Sequence, residues 1–263
     1  MDLNKLTQQV VKISKSAGDL IRENTKDFKY SDVEKKGIND YVSYVDKTAE
    51  LFIIEKLKPL IPEAGFIVEE KSVEYQGEHY KWVIDPLDGT TNFIHGFFPY
   101  SVSIALMKDN DIILGVIYEI GLDECFYAYK NGGAFLNDKK IKVSDKSSFT
   151  DSLLATGFPY DDFEKLDKYL ELLKYLTQNT QGIRRLGSAA VDIAYVACGR
   201  FDGFYEYSLN PWDVAAGVII IEEAGGKVCD FKGGNNYLFG KEIIVANSHI
   251  FEKLKEKISY FMS

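Results

Sequence analysis

Apolar residues recur at helical spacing through the first twenty-odd positions, where Leu6, Val10, Ile13, Ala17 and Leu20 stand three or four apart with polar residues between them. The pattern predicts an amphipathic helix at the N-terminus. A second helix is expected from near Asp46 to a point before Pro62. The texture then changes to short β-branched and aromatic runs at 66–68, 82–84, 101–107, 112–118 and 125–129, which read as strands, with Asn131-Gly132-Gly133 as a tight turn. After about residue 150 strands and helices alternate: a strand at 153–155, helices at 165–176 and 188–196, a strand at 204–207. A helix over 213–224 follows, ended by Gly225-Gly226, residues that tolerate a left-handed cap. No repeat, low-complexity linker or proline-rich hinge interrupts the chain. The expectation is one unit over 1–263, whose halves, about 1–147 and 148–263, pack as layered sheets sharing helices.

Composition narrows the picture without changing it. The 263 residues are 46% hydrophobic and 27% charged, enough apolar mass for a sizeable core, which excludes wholesale disorder and a small disulfide-stapled module. Thirty-one Lys plus Arg against 40 Asp plus Glu give a net charge of -9, which repels a nucleic-acid backbone; no nucleic-acid partner is expected. The longest apolar run, 214–221, falls short of the ~18 to 20 residues of a membrane span. Asp2, Lys5, Gln8 and Gln9 stand where an export signal needs an apolar stretch, so a cytoplasmic location and no membrane partner are expected. Cys125, Cys198 and Cys229 are widely spaced with no CxxC, and His79, His95 and His249 show no HExxH spacing. The cysteines read as buried and inert, and thiolate or imidazole metal sites are not expected.

The sharpest chemical signal is Trp82-Val83-Ile84-Asp85-Pro86-Leu87-Asp88-Gly89-Thr90-Thr91-Asn92-Phe93. A buried-looking strand delivers two carboxylates three residues apart, and Pro86 fixes the backbone between them so that they cannot share a regular helix. They are expected to converge just past the strand end. Carboxylate oxygens suit a hard cation such as Mg²⁺, and the Leu87 carbonyl is a further candidate ligand. Gly89-Thr90-Thr91 offer backbone N–H groups at a helix start, a ready anion site. The plainer alternative is an acidic turn, since Asp-Pro and Asp-Gly are common turn pairs. Both pairs in register, after a strand and before hydroxyl residues, favour the site. Glu69-Glu70 after the run 66–68 places an acidic pair at another strand end, where a solvated charge cluster is the alternative. Asp213, after Asn210-Pro211-Trp212, occupies a helix N-cap position, and capping alone would explain it.

Taken together, Glu69-Glu70, Asp85-Pro86-Leu87-Asp88-Gly89-Thr90-Thr91-Asn92-Phe93 and Trp212-Asp213-Val214-Ala215-Ala216-Gly217 resemble the inositol monophosphatase family of Mg²⁺-dependent, lithium-sensitive phosphatases. The likeness extends to Lys36-Gly37-Ile38-Asn39-Asp40-Tyr41-Val42-Ser43-Tyr44-Val45-Asp46, Gly182-Ile183-Arg184-Arg185-Leu186-Gly187-Ser188-Ala189-Ala190 and Glu222-Glu223-Ala224-Gly225-Gly226. The resemblance implies an α+β fold, a layered αβαβα sandwich, in a homodimer, with a metal and phosphate half followed by a substrate-ring half. It implies that Glu69, Asp85, the Leu87 carbonyl, Asp88 and Asp213 surround two to three Mg²⁺ ions. Four carboxylates neutralise two such ions and leave little attraction for a phosphate dianion, which a third, weaker ion could supply. Glu69 and Thr90 would hold the attacking water, Asp46 would orient Thr90, and Lys36 or its neighbour Lys35 would approach the metals. Asp88, Gly89, Thr90 and Asp213 would meet the phosphate end of the substrate, and Gly187, Ser188, Ala189 and Glu206 the ring. For Glu206, in Phe204-Tyr205-Glu206-Tyr207, the alternative is an outward strand position. The implied reaction is hydrolysis of a small phosphorylated polyol or sugar, inositol 1-phosphate foremost. Thr91-Asn92 favours the inositol branch over phosphatases of adenosine bisphosphate, fructose 1,6-bisphosphate or histidinol phosphate. A regulator that keeps the fold and binds a partner is the reading of another class.

Overall fold

A computed structural model of the chain describes residues 1–25, 33–37, 40–71, 77–160 and 162–263, with side chains at all of these except 33–37 and 40–42. The first element is α1 (Leu3–Asn24), started by Asp2, whose Oδ1 accepts from the Lys5 N–H at 3.0 Å. Its stripe of Leu6, Val10, Val11, Ala17 and Ile21 is buried, each fully covered side chain of this size contributing about 1.5–3 kcal/mol. β1 (Val33–Gly37) and β2 (Asp40–Ser43) pair antiparallel as a small ribbon, and α2 (Tyr44–Leu57) follows directly. Ser43 caps α2, and Asp46 closes a capping box by accepting from the Ser43 N–H at 2.9 Å.

β3 (Gly65–Val68), β4 (Tyr80–Asp88), the short helix α3 (Thr90–Ile94), β5 (Ser101–Lys108), β6 (Asp111–Glu119), β7 (Glu124–Tyr129), β8 (Gly133–Leu136) and β9 (Lys139–Ile141) come next. Their seven strands form one sheet in sequence order, antiparallel throughout except for the parallel β3–β4 pair. Alternation along these strands feeds two different cores. Trp82, Ile84, Val102, Ile104, Leu106, Leu114 and Val116 face α1 and α2, whereas Val83, Ala105, Met107, Ile117 and Phe126 face the other way.

The second part comprises β10 (Leu153–Thr156), α4 (Leu166–Asn179), β11 (Gly182–Arg184), α5 (Ala189–Ala197), β12 (Gly203–Tyr207), α6 (Pro211–Glu223), β13 (Lys227–Cys229), β14 (Glu242–Ala246) and α7 (Phe251–Met262). Its five strands are ordered β11-β10-β12-β14-β13. α5 and α6 are apolar nearly all round because they lie between the two sheets, sharing one core with the inner face of each. α4 and α7 cover the outer face of the five-stranded sheet through Tyr169, Leu172, Leu176, Leu254 and Ile258. The layers therefore run α1/α2, seven-stranded sheet, α5/α6, five-stranded sheet, α4/α7: an αβαβα sandwich.

A row of small residues sets how closely the middle helices approach. Ala105, Gly115, Ala128 and Ala134 lie opposite one another across β5, β6, β7 and β8. A Cβ at Gly115 would stand 2.5 Å from Ile219 Cγ2 and 2.6 Å from the Ala216 carbonyl, so α6 lies against bare backbone there. Ser103 adds a fix at the helix start, its Oγ donating to the Trp212 carbonyl at 3.2 Å. The N-terminus of α6 is thereby held beside the end of β4.

Three expectations need correction. β4 does not end before its carboxylates: it continues through Asp88, with an irregular register between Asp85 and Asp88 where Pro86 lacks the N–H of a regular ladder. Asp213 is not the cap of α6. Asn210 is, Pro211 occupies the first turn, and Asp213 closes the capping box by accepting from the Asn210 N–H at 2.7 Å. Of the three cysteines, Cys125 and Cys229 are buried but Cys198 is partly exposed, and none of them forms a disulfide. No helix among the described residues is long and apolar enough to cross a membrane.

Candidate active site

The end of β3, the end of β4, the starts of α3, α5 and α6, and the middle of β12 meet at one cavity of about 500 Å³. Glu69, Asp85, Leu87, Asp88, Gly89, Thr90, Gly187, Ser188, Ala189, Glu206 and Asp213, each singled out in the sequence, all line it. Asp46 stands behind this wall, fully covered. Lys36 lies in β1, and its side chain is outside the described residues.

Helix α2 holds two loops at once. One turn apart, Asp46 and Glu50 point to the same side: Asp46 Oδ1 accepts from Thr90 Oγ1 at 3.0 Å, and Glu50 Oε2 accepts from the Glu70 N–H at 2.7 Å. Asp46 Oδ2 is occupied by the Ser43 N–H at 2.9 Å and the Ser43 Oγ at 2.6 Å. Burial raises the Asp46 carboxyl above its ordinary value, and these hydrogen bonds oppose the shift. Thr90 Oγ1 also stands 3.0 Å from the Leu87 carbonyl, but a hydroxyl has one proton and donates to one acceptor at a time. When Thr90 donates to Asp46, the lone pairs of Thr90 and the Leu87 oxygen both stay available on the cavity side.

The β4 carboxylates are fixed by backbone and by the facing helix. Asp85 Oδ1 accepts from the Leu87 N–H at 2.9 Å. Asp88 Oδ2 accepts from Ser188 Oγ at 2.6 Å and the Ala190 N–H at 2.8 Å, which ties β4 to the start of α5. Gly89, with φ of 96°, turns the chain from β4 into α3; a Cβ there would lie 3.1 Å from the Pro99 carbonyl and 3.2 Å from the Gly187 carbonyl. On the far side of the cavity, Gly157 makes room for Glu206, whose Oε1 sits 2.0 Å from where a Cβ on Gly157 would be.

Packing so many acids together leaves a deficit of positive charge. Burial, followed by the charges of Glu69, Asp88 and Asp213, raises Asp85 well above the usual carboxylate range, and Glu69 is hydrogen-bonded to it. Burial and the Asp88 charge push Asp213 up to about 8, while burial raises Asp88 to about 6 against the hydrogen bonds from Ser188 and Ala190. A cation would replace these protons. Among the described residues, no three of these side chains close into a ready-made metal cage. The donor chemistry still fits a hard divalent ion: the donor atoms on offer are all oxygen, from four carboxylates and the Leu87 carbonyl. Burial still raises Asp85, Asp88 and Asp213, with mutual repulsion adding at Asp85 and Asp213, although Arg185 opposes the shift at Asp88.

Sequence reasoning missed several residues of the same cavity: Lys71, Gly157, Tyr160, Arg185, Asp192, Ser208 and Lys241. Two carried a signal. Asp192 is the one charge in the helix Ala189–Ala197, and Gly157 follows the strand Leu153–Thr156 ahead of Pro159. Arg185 donates to the Tyr160 hydroxyl at 2.9 Å and stacks 5.9 Å from the rings of Phe158 and Tyr160, which roofs the outer half of the cavity.

A sequence-family model described as the inositol monophosphatase family matches residues 2–260. Inositol-1-monophosphatase of Rhizobium meliloti is 40% identical over 257 residues, 97% of this chain and 95% of that protein. Nus factor SuhB of Haemophilus influenzae is 39% identical over 257 residues, covering 97% and 96%. Among solved structures, the extragenic suppressor protein suhB from Bartonella henselae superposes with a TM-score of 0.91 at 41% identity, covering 97% of this chain and 98% of that one. Inositol monophosphatase from Anabaena superposes with a TM-score of 0.86 at 34% identity, covering 99% and 97%.

Proposed function

Since the chain belongs to the inositol monophosphatase family, we propose that it is a Mg²⁺-dependent phosphoric monoester hydrolase whose preferred substrate is inositol 1-phosphate, split to inositol and phosphate. The observation that carries this reading is the Asp46–Thr90 hydrogen bond, which spans 44 residues and sets a hydroxyl at the edge of the Glu69, Asp85, Asp88 and Asp213 cluster. Two to three Mg²⁺ ions bound among these carboxylates and the Leu87 carbonyl supply Lewis acidity and counter-charge for a phosphate ester.

The chain's own groups do the remaining work. Asp46 accepts the Thr90 hydroxyl hydrogen bond, so Thr90 Oγ1 presents lone pairs to a water, and Glu69 accepts a hydrogen bond from that water's other O–H; the oxygen is then aimed at phosphorus. Backbone N–H groups at Gly89 and Thr90, where α3 begins, point at the phosphate oxygens, although so short a helix contributes little dipole. Gly187, Ser188, Ala189 and Glu206 form the far wall, where the leaving alcohol lies. Phosphate release from inositol phosphates, fructose 1,6-bisphosphate, adenosine bisphosphate and histidinol phosphate, with Mg²⁺ and with EDTA, tests the reading. Release from inositol 1-phosphate that depends on Mg²⁺ and exceeds the rest supports it; a stronger preference for one of the others reassigns the substrate, and no release overturns it.

The reading includes lithium sensitivity, a homodimer and a cytoplasmic location. Three cysteines without a disulfide suit a reducing compartment, and the exposed Phe97, Phe98 and Leu122 offer an apolar face for a second copy. The relatives named Nus factor SuhB favour a second reading, a partner-binding factor that keeps the phosphatase fold. A source strain whose single copy carries Asp88→Asn separates the two. Loss of the wild-type phenotype follows from the enzymatic role, and its retention, where deletion removes it, follows from partner binding.

A further inference from the structure

Asp192 is 1% exposed, lines the cavity, and its Oδ1 has no hydrogen-bond partner among the described residues. Buried carboxylate oxygens are almost always partnered, so an orphan on a cavity wall calls for a physical reason. Helix capping does not provide one. Ser188 caps α5, accepting from the Val191 N–H at 3.4 Å, and the Asp192 N–H bonds the Ser188 carbonyl within the helix. Nor does a hydrogen bond to the acidic cluster, whose Asp88 accepts from Ser188 and the Ala190 N–H at the start of the same helix. The charges that Asp192 feels most are those of Glu206, then Asp88, then Arg185.

Resting on the reading that the cavity hydrolyses a polyol phosphate, we propose that Asp192 is a specificity-determining residue that works beside Glu206, the two carboxyls taking neighbouring hydroxyls of the leaving alcohol. Glu206 is seated against the bare backbone of Gly157, which fixes its carboxyl on the cavity side of β12. Asp192 comes to the same space from α5, so the pair originates from two elements and spans more than one hydrogen-bonding position. Arg185 decides between the possible ligands. Its guanidinium faces both carboxyls, and it is held by the Tyr160 hydroxyl. The guanidinium beside the pair repels a second cation that approaches it, which favours neutral donors. Vicinal hydroxyls are such donors, and an ammonium or imidazolium substituent is not.

The test uses the full chain with Asp192→Ala and Asp192→Asn, and three esters: inositol 1-phosphate, histidinol phosphate and p-nitrophenyl phosphate, which has no hydroxyl on its leaving group. For Asp192→Ala, KM for inositol 1-phosphate should rise about tenfold with kcat nearly unchanged, as expected when one hydrogen bond to substrate is lost. The p-nitrophenyl ester should change less than about twofold, and Asp192→Asn, which keeps a hydrogen-bonding oxygen, should recover part of the loss. An equal fall for both esters makes Asp192 structural and overturns the proposal, as does no change for either. A loss confined to histidinol phosphate overturns it in favour of a cation-binding pair. Binding of free myo-inositol, followed by the fluorescence of Trp212 on the cavity wall, gives a readout independent of turnover. An unchanged affinity in both variants overturns the inference even where phosphate release supports the family reaction, whereas absence of phosphate release from wild-type protein counts against the reaction itself.

Discussion

Ser188 Oγ donates to Asp88 Oδ2 at 2.6 Å, joining the first residue of α5's cap to the last residue of β4 across 100 positions of sequence. The bond links the two sheets through the middle helix layer and aims a carboxylate at the cavity. Asp88→Asn keeps the shape, and its amide oxygen can still accept from Ser188 and the Ala190 N–H, but the charge needed by a divalent ion is gone. Mg²⁺-dependent hydrolysis should fall by at least about 100-fold with circular dichroism unchanged. Ser188→Ala should act more mildly, raising the Mg²⁺ concentration for half-maximal rate by about tenfold. Activity of Asp88→Asn within threefold of wild type would rule out its role as a metal ligand.

Thr90 and Asp46 act as one unit. Asp46→Asn puts an amide N–H where Asp46 now accepts from Thr90 or from Ser43, so one of those donors loses its acceptor. A kcat drop of about 100-fold with little change in KM is expected, together with a stability loss of about 1–3 kcal/mol from the unsatisfied buried group. Thr90→Ser keeps the hydroxyl and should retain most activity. Steady-state kinetics and urea unfolding of the two variants check both parts, and a KM effect without a kcat effect would move the pair from water positioning to substrate binding.

These relationships were unequally visible in the sequence. Asp85 and Asp88 are local, and the residue types around Pro86 were enough to mark them, although the strand runs on through the irregularity that Pro86 creates. Asp213 was placed at the cap because the apolar run begins just after it, yet Asn210-Pro211 is the stronger start signal, with Pro suited to the first turn. The order of layers depends on which strands pair. The row Ala105, Gly115, Ala128 and Ala134 has no pattern in one dimension and becomes a groove for α6 only when register brings the four together. β1, β2, β8, β9, β11, β13, β14 and α7 are not legible in the sequence pattern, the strands being three to five residues long.

The exposed aromatic loop predicts a dimer contact. Phe97 and Leu122 are 62% and 66% exposed, and Phe98 stacks on Tyr100 at 5.0 Å while its ring covers Gly121, next to Leu122. A Phe97→Glu variant should shift the mass measured by light scattering from dimer toward monomer, since a charge in a self-complementary face is repeated on both copies. An unchanged dimer mass would place the contact elsewhere, and a monomeric wild type would remove the dimer from the proposal.

Lithium should inhibit at millimolar concentration with a pattern that is uncompetitive or noncompetitive in substrate, because the family resemblance implies that Li⁺ replaces one Mg²⁺ after turnover and traps phosphate. Asp213→Asn, which removes one carboxylate of the proposed metal cluster, should alter the Li⁺ sensitivity as well as the rate. Hydrolysis unaffected by high Li⁺ would leave the phosphatase reading intact and remove the lithium-sensitive one.

The acidic cavity also sets a pH dependence of stability in metal-free protein. Asp213 is raised to about 8 and Asp88 to about 6, in both cases chiefly by burial, with Asp85, Glu206 and Asp192 shifted the same way. Between the ordinary carboxylate pKa near 3.8 and these folded-state values, the native protein holds protons that the unfolded chain has released. Stability therefore falls as pH rises through that window, the reverse of a salt-bridged carboxylate. In EDTA, Tm should be lower at pH 8 than at pH 6. Mg²⁺ binds the ionised carboxylates of the native state alone, so its stabilising effect should be larger at pH 8, where protons no longer compete, and the gap between the two pH values should narrow. Differential scanning fluorimetry across pH 5.5 to 8.5, with EDTA and with Mg²⁺, measures both slopes. A metal-free Tm that is flat or rises over this range would show that burial and neighbouring charge do not hold these carboxylates protonated, and the case for a cation between them would lose its electrostatic basis.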